Sequence, residues 1–400
     1  MKPFSERTPR LGTENAFSVI NKAKKFEREV LAPKGEKLIY LQIGEPGFNT
    51  PKNINDAAIK AIQNNMTHYT PTAGIPELRK AVAEYSSKNA CVKYEPEDVV
   101  VVPGGKPVMF YTLNALIDEG DEVIIPSPGY PIYGSVTEYL GGKVVPIELR
   151  MENDFNFTAE DLAKLITEKT KVIVLNSPQN PTGGVYTKEL IQEIAKLAIK
   201  HDLWILADEI YDKIIHEGEH FSITNIEGMP ERTVLLNGCS KTYAMTGYRI
   251  GWAVTKNKEM AKFIEQLECN DVSCTNAITQ YAALEALTGP QESVAEMRNE
   301  YKKRRDLMVG LINDVPGMHC RSPKGAFYIM ANVKEILTKL NISATELCDR
   351  IMEEAHVLIL PGTCFGHFGE DFVRFSYVST EENIKEGLAK IKKFIENIYK

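Results

Sequence analysis

The sequence predicts an α/β fold: a large domain with a mainly parallel seven-stranded sheet covered by helices, plus a smaller α+β domain from the N- and C-terminal segments. Three observations carry this. Seven short, mostly β-branched runs alternate with amphipathic stretches: Val99 to Val102, Glu122 to Ile125, Lys143 to Ile147, Lys171 to Leu175, Trp204 to Ala207, Val234 to Leu236 and Ile250 to Val254. That alternation is the signature of βα units. After Cys274 the texture changes to longer helical stretches with only three strand-like runs. Finally, 400 residues, 43% of them hydrophobic, suffice for one large core and a smaller one. The expected large domain is 46–290; residues 1–45 and 291–400 form the small one.

In chain order, apolar residues recur at helical spacing from Glu14 to Val30, and Ala32-Pro33-Lys34-Gly35 breaks the pattern. An extended run then reaches the turn Gly44-Glu45-Pro46-Gly47-Phe48. Helices are expected at about 53 to 65 and 75 to 90, on either side of Tyr69-Thr70-Pro71. The seven runs follow. Beyond them come a helix through Leu287, a charged one from Glu292 to Asn313, strands near Ala326 to Met330, Val357 to Leu360 and Val373 to Tyr377, and a last amphipathic helix from Thr380 to Tyr399.

Composition narrows the function. A net charge of −7 leaves no basic footprint for nucleic acid or an anionic membrane surface, so small molecules are the expected partners. The segment Met1 to Asn15 lacks the apolar core of a secretory signal, and a cytoplasmic protein is expected. Seven cysteines without a Cys-x-x-Cys pair read as reduced thiols, with Cys239 a small buried hydrophobe.

In a parallel sheet, ligands bind beyond the carboxyl ends of the strands. Gly104, Tyr130, Asn180, Asp208 and Lys241 each follow closely after one of the seven runs. Lys241 comes just after an apolar strand, with little acidic character nearby and Arg249 eight residues on. Desolvation and a neighbouring cation both favour the neutral, nucleophilic amine. Most lysines are solvated, so this stretch alone is not decisive. Gly104-Gly105-Lys106 before a helical stretch offers N–H groups to an anion, or is a plain turn. Asp208 at a strand end, with Tyr211 three residues on, needs a cationic or hydrogen-bonding partner. The Asn180-Pro181 bond could be cis. Arg374 inside Phe372-Val373-Arg374-Phe375 needs an anion, either a protein carboxylate or a ligand's. His216-Glu217-Gly218-Glu219-His220 has zinc-protease spacing, but Gly218 interrupts any helix and a surface loop without metal is expected.

With these residues in order, the chain resembles the class I and II aminotransferases of fold-type I, nearest their aspartate aminotransferase branch. The resemblance rests on Ser240-Lys241-x-x-x-Met245-x-Gly247-x-Arg249-x-Gly251 together with Gly44-x-Pro46, Tyr69-Thr70, Gly104-Gly105-Lys106, Tyr130-Pro131, Asn180-Pro181-x-Gly183, Asp208-x-x-Tyr211 and Arg374. It implies pyridoxal 5'-phosphate as cofactor. Lys241 would hold it covalently and, once displaced, shuttle a proton. Asp208 would pair with the ring nitrogen, Tyr211 and Asn180 would bond its phenolic oxygen, and Tyr130 would stack on the ring. Ser240, Arg249 and the N–H groups of Gly105 and Lys106 would hold its phosphate. Tyr69 would reach the phosphate of a neighbouring subunit, making a homodimer with shared active sites. Arg374, beside Gly44, would take the substrate α-carboxylate.

Implied substrates are an L-amino acid, aspartate-type as a first guess with alanine and aromatic donors open, and a 2-oxo acid such as 2-oxoglutarate. A second cation for a dicarboxylic substrate could come from Lys106, His68 or the partner subunit. Gly47 stands where many relatives carry aspartate, and Cys269 to Cys274 replaces a commoner Gln/Ser-rich segment. Two other functions remain open at this point. One is elimination, replacement or oxidation at Cα or Cβ on the same cofactor; the other is a non-catalytic binding module.

Overall fold

The computed structural model describes residues 2–12 and 15–399. Its strands, in chain order, are β1 (Ile39–Tyr40), β2 (Val99–Val102), β3 (Glu122–Ser127), β4 (Lys143–Glu148), β5 (Thr170–Asn176), β6 (Trp204–Asp208), β7 (Thr233–Gly238), β8 (Gly251–Val254), β9 (Tyr328–Asn332), β10 (Val357–Leu358), β11 (Leu360–Pro361) and β12 (Phe372–Ser376). The seven expected runs all join one sheet, ordered β2-β8-β7-β6-β5-β3-β4. Four of its neighbouring pairs are parallel, and β8 runs antiparallel to both β7 and β2.

Successive side chains of a strand point to opposite faces, and this sheet is apolar on both. Val99, Val101, Ile173, Leu175, Ile205 and Leu235 join one core. Val100, Val102, Val172, Val174, Leu206 and Leu236 join another. Helices Lys52–Gln63, Pro76–Ser87, Lys188–Lys200 and Ala277–Thr288 supply the first core. Gly105–Leu116, Ile132–Leu140 and Lys258–Val272 supply the second. With both faces covered, strands can be almost wholly hydrophobic, which is why they stood out in the sequence.

The C-terminal part has its own core and an antiparallel sheet ordered β11-β12-β9. The N-terminal segment enters through β1, which pairs in parallel with β10. Two boundaries differ from expectation. The strand expected from Ala326 begins at Tyr328, because Ala326 sits at φ 56°, outside extended backbone. The run Val357 to Leu360 divides at Ile359: β10 serves β1, and β11 serves β12. Glu14, the expected first residue of the N-terminal helix, lies outside the described residues, and the helix is seen over Asn15–Phe26. It continues into a π-helical turn, Glu27–Leu31.

The Cys269 to Cys274 segment adjoins a buried carboxyl with an unusual proton count. Glu268 is fully buried, and the Tyr111 hydroxyl lies 3.2 Å from its Oε2 and 2.8 Å from Asp271 Oδ2. One phenolic proton cannot serve both oxygens at once. Thr275 Oγ1 donates to Glu268 Oε1 at 3.1 Å. Burial pushes Glu268 up to about 7. The folded state therefore favours the protonated form, and this stabilisation is lost as pH rises from the ordinary carboxylate range through about 7. Glu268→Gln should thus gain in melting temperature relative to the parent between pH 5 and 8.5; a difference independent of pH would contradict this.

Candidate active site

A cavity of about 620 Å³ opens where the carboxyl ends of the large sheet face the C-terminal sheet. Its wall contains Gly44, Gly105, Lys106, Tyr130, Asn180, Asp208, Tyr211, Ser240, Lys241, Arg249 and Arg374. Of the sequence-derived candidates, Tyr69 and His68 are elsewhere, with Tyr69 87% exposed on the loop after Lys52–Gln63.

Lys241 is held by its turn. Cys239, Tyr243 and Met245 are buried in the sheet core, and Ala244 takes φ 52°, a conformation costly for a residue with a Cβ. The turn thereby leaves Lys241 on the cavity side, where Nζ donates to Gly44 O at 2.5 Å. Its pKa is drawn down to about 8, chiefly by burial, with Arg374 and Arg249 acting in the same sense. Glu45 and Asp208 oppose the shift. The absence of acids around Lys241 is thus a property of the sequence alone. Glu45 arrives from nearly 200 residues away and accepts from Thr246 Oγ1 at 3.0 Å.

Asp208 ends β6 and is 3% exposed. Its partners are neutral donors: Tyr133 Oη at 2.6 Å and the Ile210 amide at 3.1 Å. Burial raises it to about 6, against the pull of these bonds. Tyr211 Oη lies 2.9 Å from Tyr328 Oη. Neither Tyr133 nor Tyr328 was singled out in the sequence; only the nearness of Tyr133 to Tyr130-Pro131 hinted at one of them. Tyr130 lies edge-on to Tyr133, centroids 5.8 Å apart, with Lys106 Nζ 5.9 Å from its ring centroid.

At the other end, Gly104 (φ 93°) caps the helix Gly105–Leu116. A Cβ on Gly104 would stand 2.4 Å from an Arg249 guanidinium nitrogen, so only glycine permits this approach. A guanidinium, the Ser240 hydroxyl and a helix N-terminus converge there, the donor set for a phosphate. Arg374 donates to Asn180 Oδ1 at 3.0 Å and to Gln42 O at 2.6 Å, and its guanidinium lies 4.5 Å and 4.7 Å from the Tyr328 and Phe365 ring centroids. Asn180 thus braces Arg374, a contact its turn motif gave no sign of. The Asn180-Pro181 bond is cis. Gly47 packs against backbone: its Cβ would meet Val378 O at 2.1 Å, which leaves no room for aspartate.

The surface loop expected at His216 to His220 exists only at its exposed middle, Glu217 to Glu219. Both imidazoles are buried. His216 Nε2 is 2.8 Å from Ala326 O and 3.0 Å from Tyr377 Oη, and His220 Nε2 is 2.9 Å from Glu209. Among the described residues no group of three or more His, Cys, Asp or Glu side chains is placed to hold a metal ion. None of their helices is long and apolar enough to cross a membrane.

The family described as aminotransferase class I and II matches residues 36–391. The chain belongs to the class I and II aminotransferases. It is 37% identical over 395 residues to an aspartate aminotransferase of Bacillus sp. (strain YM-2), covering 98% of this chain and 99% of the relative. It is 38% identical over 401 residues to a probable aspartate/prephenate aminotransferase of Aquifex aeolicus, 99% and 100% covered. Among solved structures, Thermus thermophilus aspartate aminotransferase with maleate superposes with a TM-score of 0.90 at 36% identity, covering 98% and 100% of the chains.

As an aminotransferase of this family, the protein is a pyridoxal-phosphate enzyme that moves amino groups. The cavity fits that cofactor: anion donors converge at Gly104 to Lys106, a buried carboxyl lies at Asp208, and an amine of lowered pKa at Lys241. When bound, pyridoxal phosphate supplies an electron sink for the pair left at Cα after deprotonation.

Proposed function

We propose that this aminotransferase takes the amino group of an L-aspartate-type donor and passes it to a 2-oxo acid such as 2-oxoglutarate. One observation carries the reading: Arg374 shares its cavity with a second group of cations, Lys106 and Lys24, that could face a side-chain carboxylate. His68 is exposed and outside this wall. The names of the aspartate relatives point the same way. A second reading, an aromatic donor, draws on the apolar part of the wall, Ile20, Tyr40, Leu360 and Phe365. It also draws on 37% identity over 369 residues to an aromatic-amino-acid aminotransferase of Thermococcus litoralis. Aspartate, alanine and phenylalanine assayed against 2-oxoglutarate and pyruvate decide between them. Highest kcat/KM for aspartate supports the proposal. Preference for phenylalanine overturns it, as does release of pyruvate or ammonia without an acceptor.

In this reading Lys241 would anchor the cofactor covalently and, as a free amine, would be the base that carries a proton from the substrate Cα. Asp208, braced by Tyr133, would keep the ring nitrogen protonated. Tyr211 and Asn180 would bond the phenolic oxygen, and Tyr130 would cover the ring. Arg249, Ser240 and the amides of Gly105 and Lys106 would hold the phosphate; Arg374 would take the substrate α-carboxylate beside Gly44. Residues 46–290 would act as one domain, with 1–45 and 291–400 as the other.

A cytoplasmic homodimer completes the reading. Ile59, Ile62, Met66 and Tyr69 follow one another along Lys52–Gln63 and the next loop, all exposed in the single chain. An apolar row of this kind suits a protein interface, and a partner seated there would bring Tyr69 towards the neighbouring phosphate seat.

Cofactor uptake gives a pH test. The Lys241 amine is neutral above about 8, so uptake of pyridoxal phosphate by cofactor-free protein should accelerate through that pH and then level. Glu45 favours the ammonium, so Glu45→Gln should move the midpoint down. Growth of the visible band after mixing, followed across pH 6 to 10, reads this out; an upward shift would count against the assignment.

A further inference from the structure

Directly behind Asp208 the fold buries two more carboxylates. Glu209 is the next residue and Asp212 lies three further on; both are less than a tenth exposed, and neither lines the cavity. Asp212 Oδ2 accepts from Tyr85 Oη at 2.5 Å, and Lys213 Nζ lies 4.9 Å from the Tyr85 ring centroid. Glu209 Oε2 lies 2.9 Å from His220 Nε2, with side-chain exposures of 9% and 5%. His220 is the second histidine of the false zinc motif, so a role for it other than metal binding is open.

We propose that His220 is a positioning residue for amino transfer: as the cation paired with Glu209 it cancels that carboxylate's charge, so that Asp208 stays ionised opposite the cofactor's ring nitrogen. This rests on the assignment of Asp208 to that nitrogen. Like charges in a buried site disfavour one another's ionisation. Among the described residues the hydrogen bonds to Asp208 come from two neutral donors, Tyr133 Oη and the Ile210 amide, with the Lys241 charge adding a smaller pull. An unpaired Glu209 beside it would press towards the neutral acid, which cannot balance a pyridinium.

The groups facing each member of the cluster agree. For Asp208, burial and Glu209 favour the acid, while Tyr133, the Ile210 amide and Lys241 favour the ion. For His220, burial and Lys213 favour the neutral ring, but Glu209 and Asp212 outweigh them and the net direction is up. Tyr94 also faces Glu209. Neither His220 Nδ1 nor Nε2 has a hydrogen-bond partner among the described residues, so the charge of the imidazole rests on its 2.9 Å ion-pair contact with Glu209, with a smaller contribution from Asp212. Removing Glu209 takes away the carboxyl beside Asp208 together with the main partner of the imidazolium; removing His220 leaves Glu209 without its ion-pair partner.

That asymmetry is the test. Cofactor-free parent, His220→Phe, Glu209→Gln, the double variant and Asp208→Asn are titrated with pyridoxamine 5'-phosphate from pH 5 to 9, following absorbance, after thermal melts confirm that each is folded. His220→Phe should lose affinity about tenfold near neutral pH, with its acid limb displaced upward by roughly one pH unit. Glu209→Gln and the double variant should stay within about twofold of the parent. An unmoved limb in His220→Phe, or a double variant as weak as His220→Phe, overturns the proposal. If His220→Phe does not fold, Glu209→Gln decides alone, since a marked loss there contradicts charge cancellation and parent-like binding supports it. Asp208→Asn separates the two levels. If it leaves the acid limb in place, the assignment of Asp208 is at fault; if it removes the limb while His220→Phe leaves it unmoved, only the role of His220 fails.

Discussion

Lys241→Ala is expected to bind pyridoxal phosphate without a covalent link and to lose amino transfer by at least about 10³-fold, within the span for a missing proton-transfer group. The loss should fall on kcat, because the proposed phosphate contacts of Arg249, Ser240 and Gly105 would not involve the amine. The bonded partner of Nζ is the Gly44 carbonyl, which is no base, and the Phe327 ring lies 5.8 Å from it. Reduction with borohydride followed by mass measurement should add the cofactor's mass to the parent and none to the variant. Substantial transfer by the variant would remove Lys241 from the centre of the mechanism.

Arg374→Ala should lower kcat/KM for every amino acid by about 10²- to 10³-fold, equivalent to roughly 3–4 kcal/mol for a lost buried charge partner. Arg374 is 5% exposed in β12 and is aimed by Asn180, the Gln42 carbonyl and two ring faces. Such a mount fixes the plane of the guanidinium in the cavity wall. Lysine restores the charge without that plane, so Arg374→Lys should recover only part of the loss. The spectrum of the bound cofactor should change little in either variant. A loss confined to dicarboxylic donors would move Arg374 from the α-carboxylate to the side chain.

The seven strands were legible because a sheet covered on both faces tolerates unbroken runs such as Val99–Val102. The antiparallel direction of β8 was not, since periodicity carries no direction. Arg374 showed itself as a charge inside an apolar strand. Its brace did not: Asn180 and Gln42 lie far away in the chain, and only folding makes them neighbours. Tyr133 and Tyr328 escaped for a related reason, because a tyrosine in an apolar stretch looks like any core residue until its hydroxyl finds Asp208 or Tyr211. Glu217 to Glu219 gave the flanking histidines a solvated look, whereas the chain turns outward for those three residues alone.

The central claim is that one cavity, with Lys241 and Arg374 in its wall, carries an amino group between two acids. A single half-reaction tests it most directly: protein loaded with pyridoxal phosphate is mixed with L-aspartate in the absence of any 2-oxo acid. The account predicts that the visible band of the lysine-bound cofactor gives way to the near-ultraviolet band of its amine form, with one equivalent of oxaloacetate per site, and that 2-oxoglutarate reverses the change. An unchanged spectrum with all amino acids, or continuous keto-acid release without an acceptor, would contradict it.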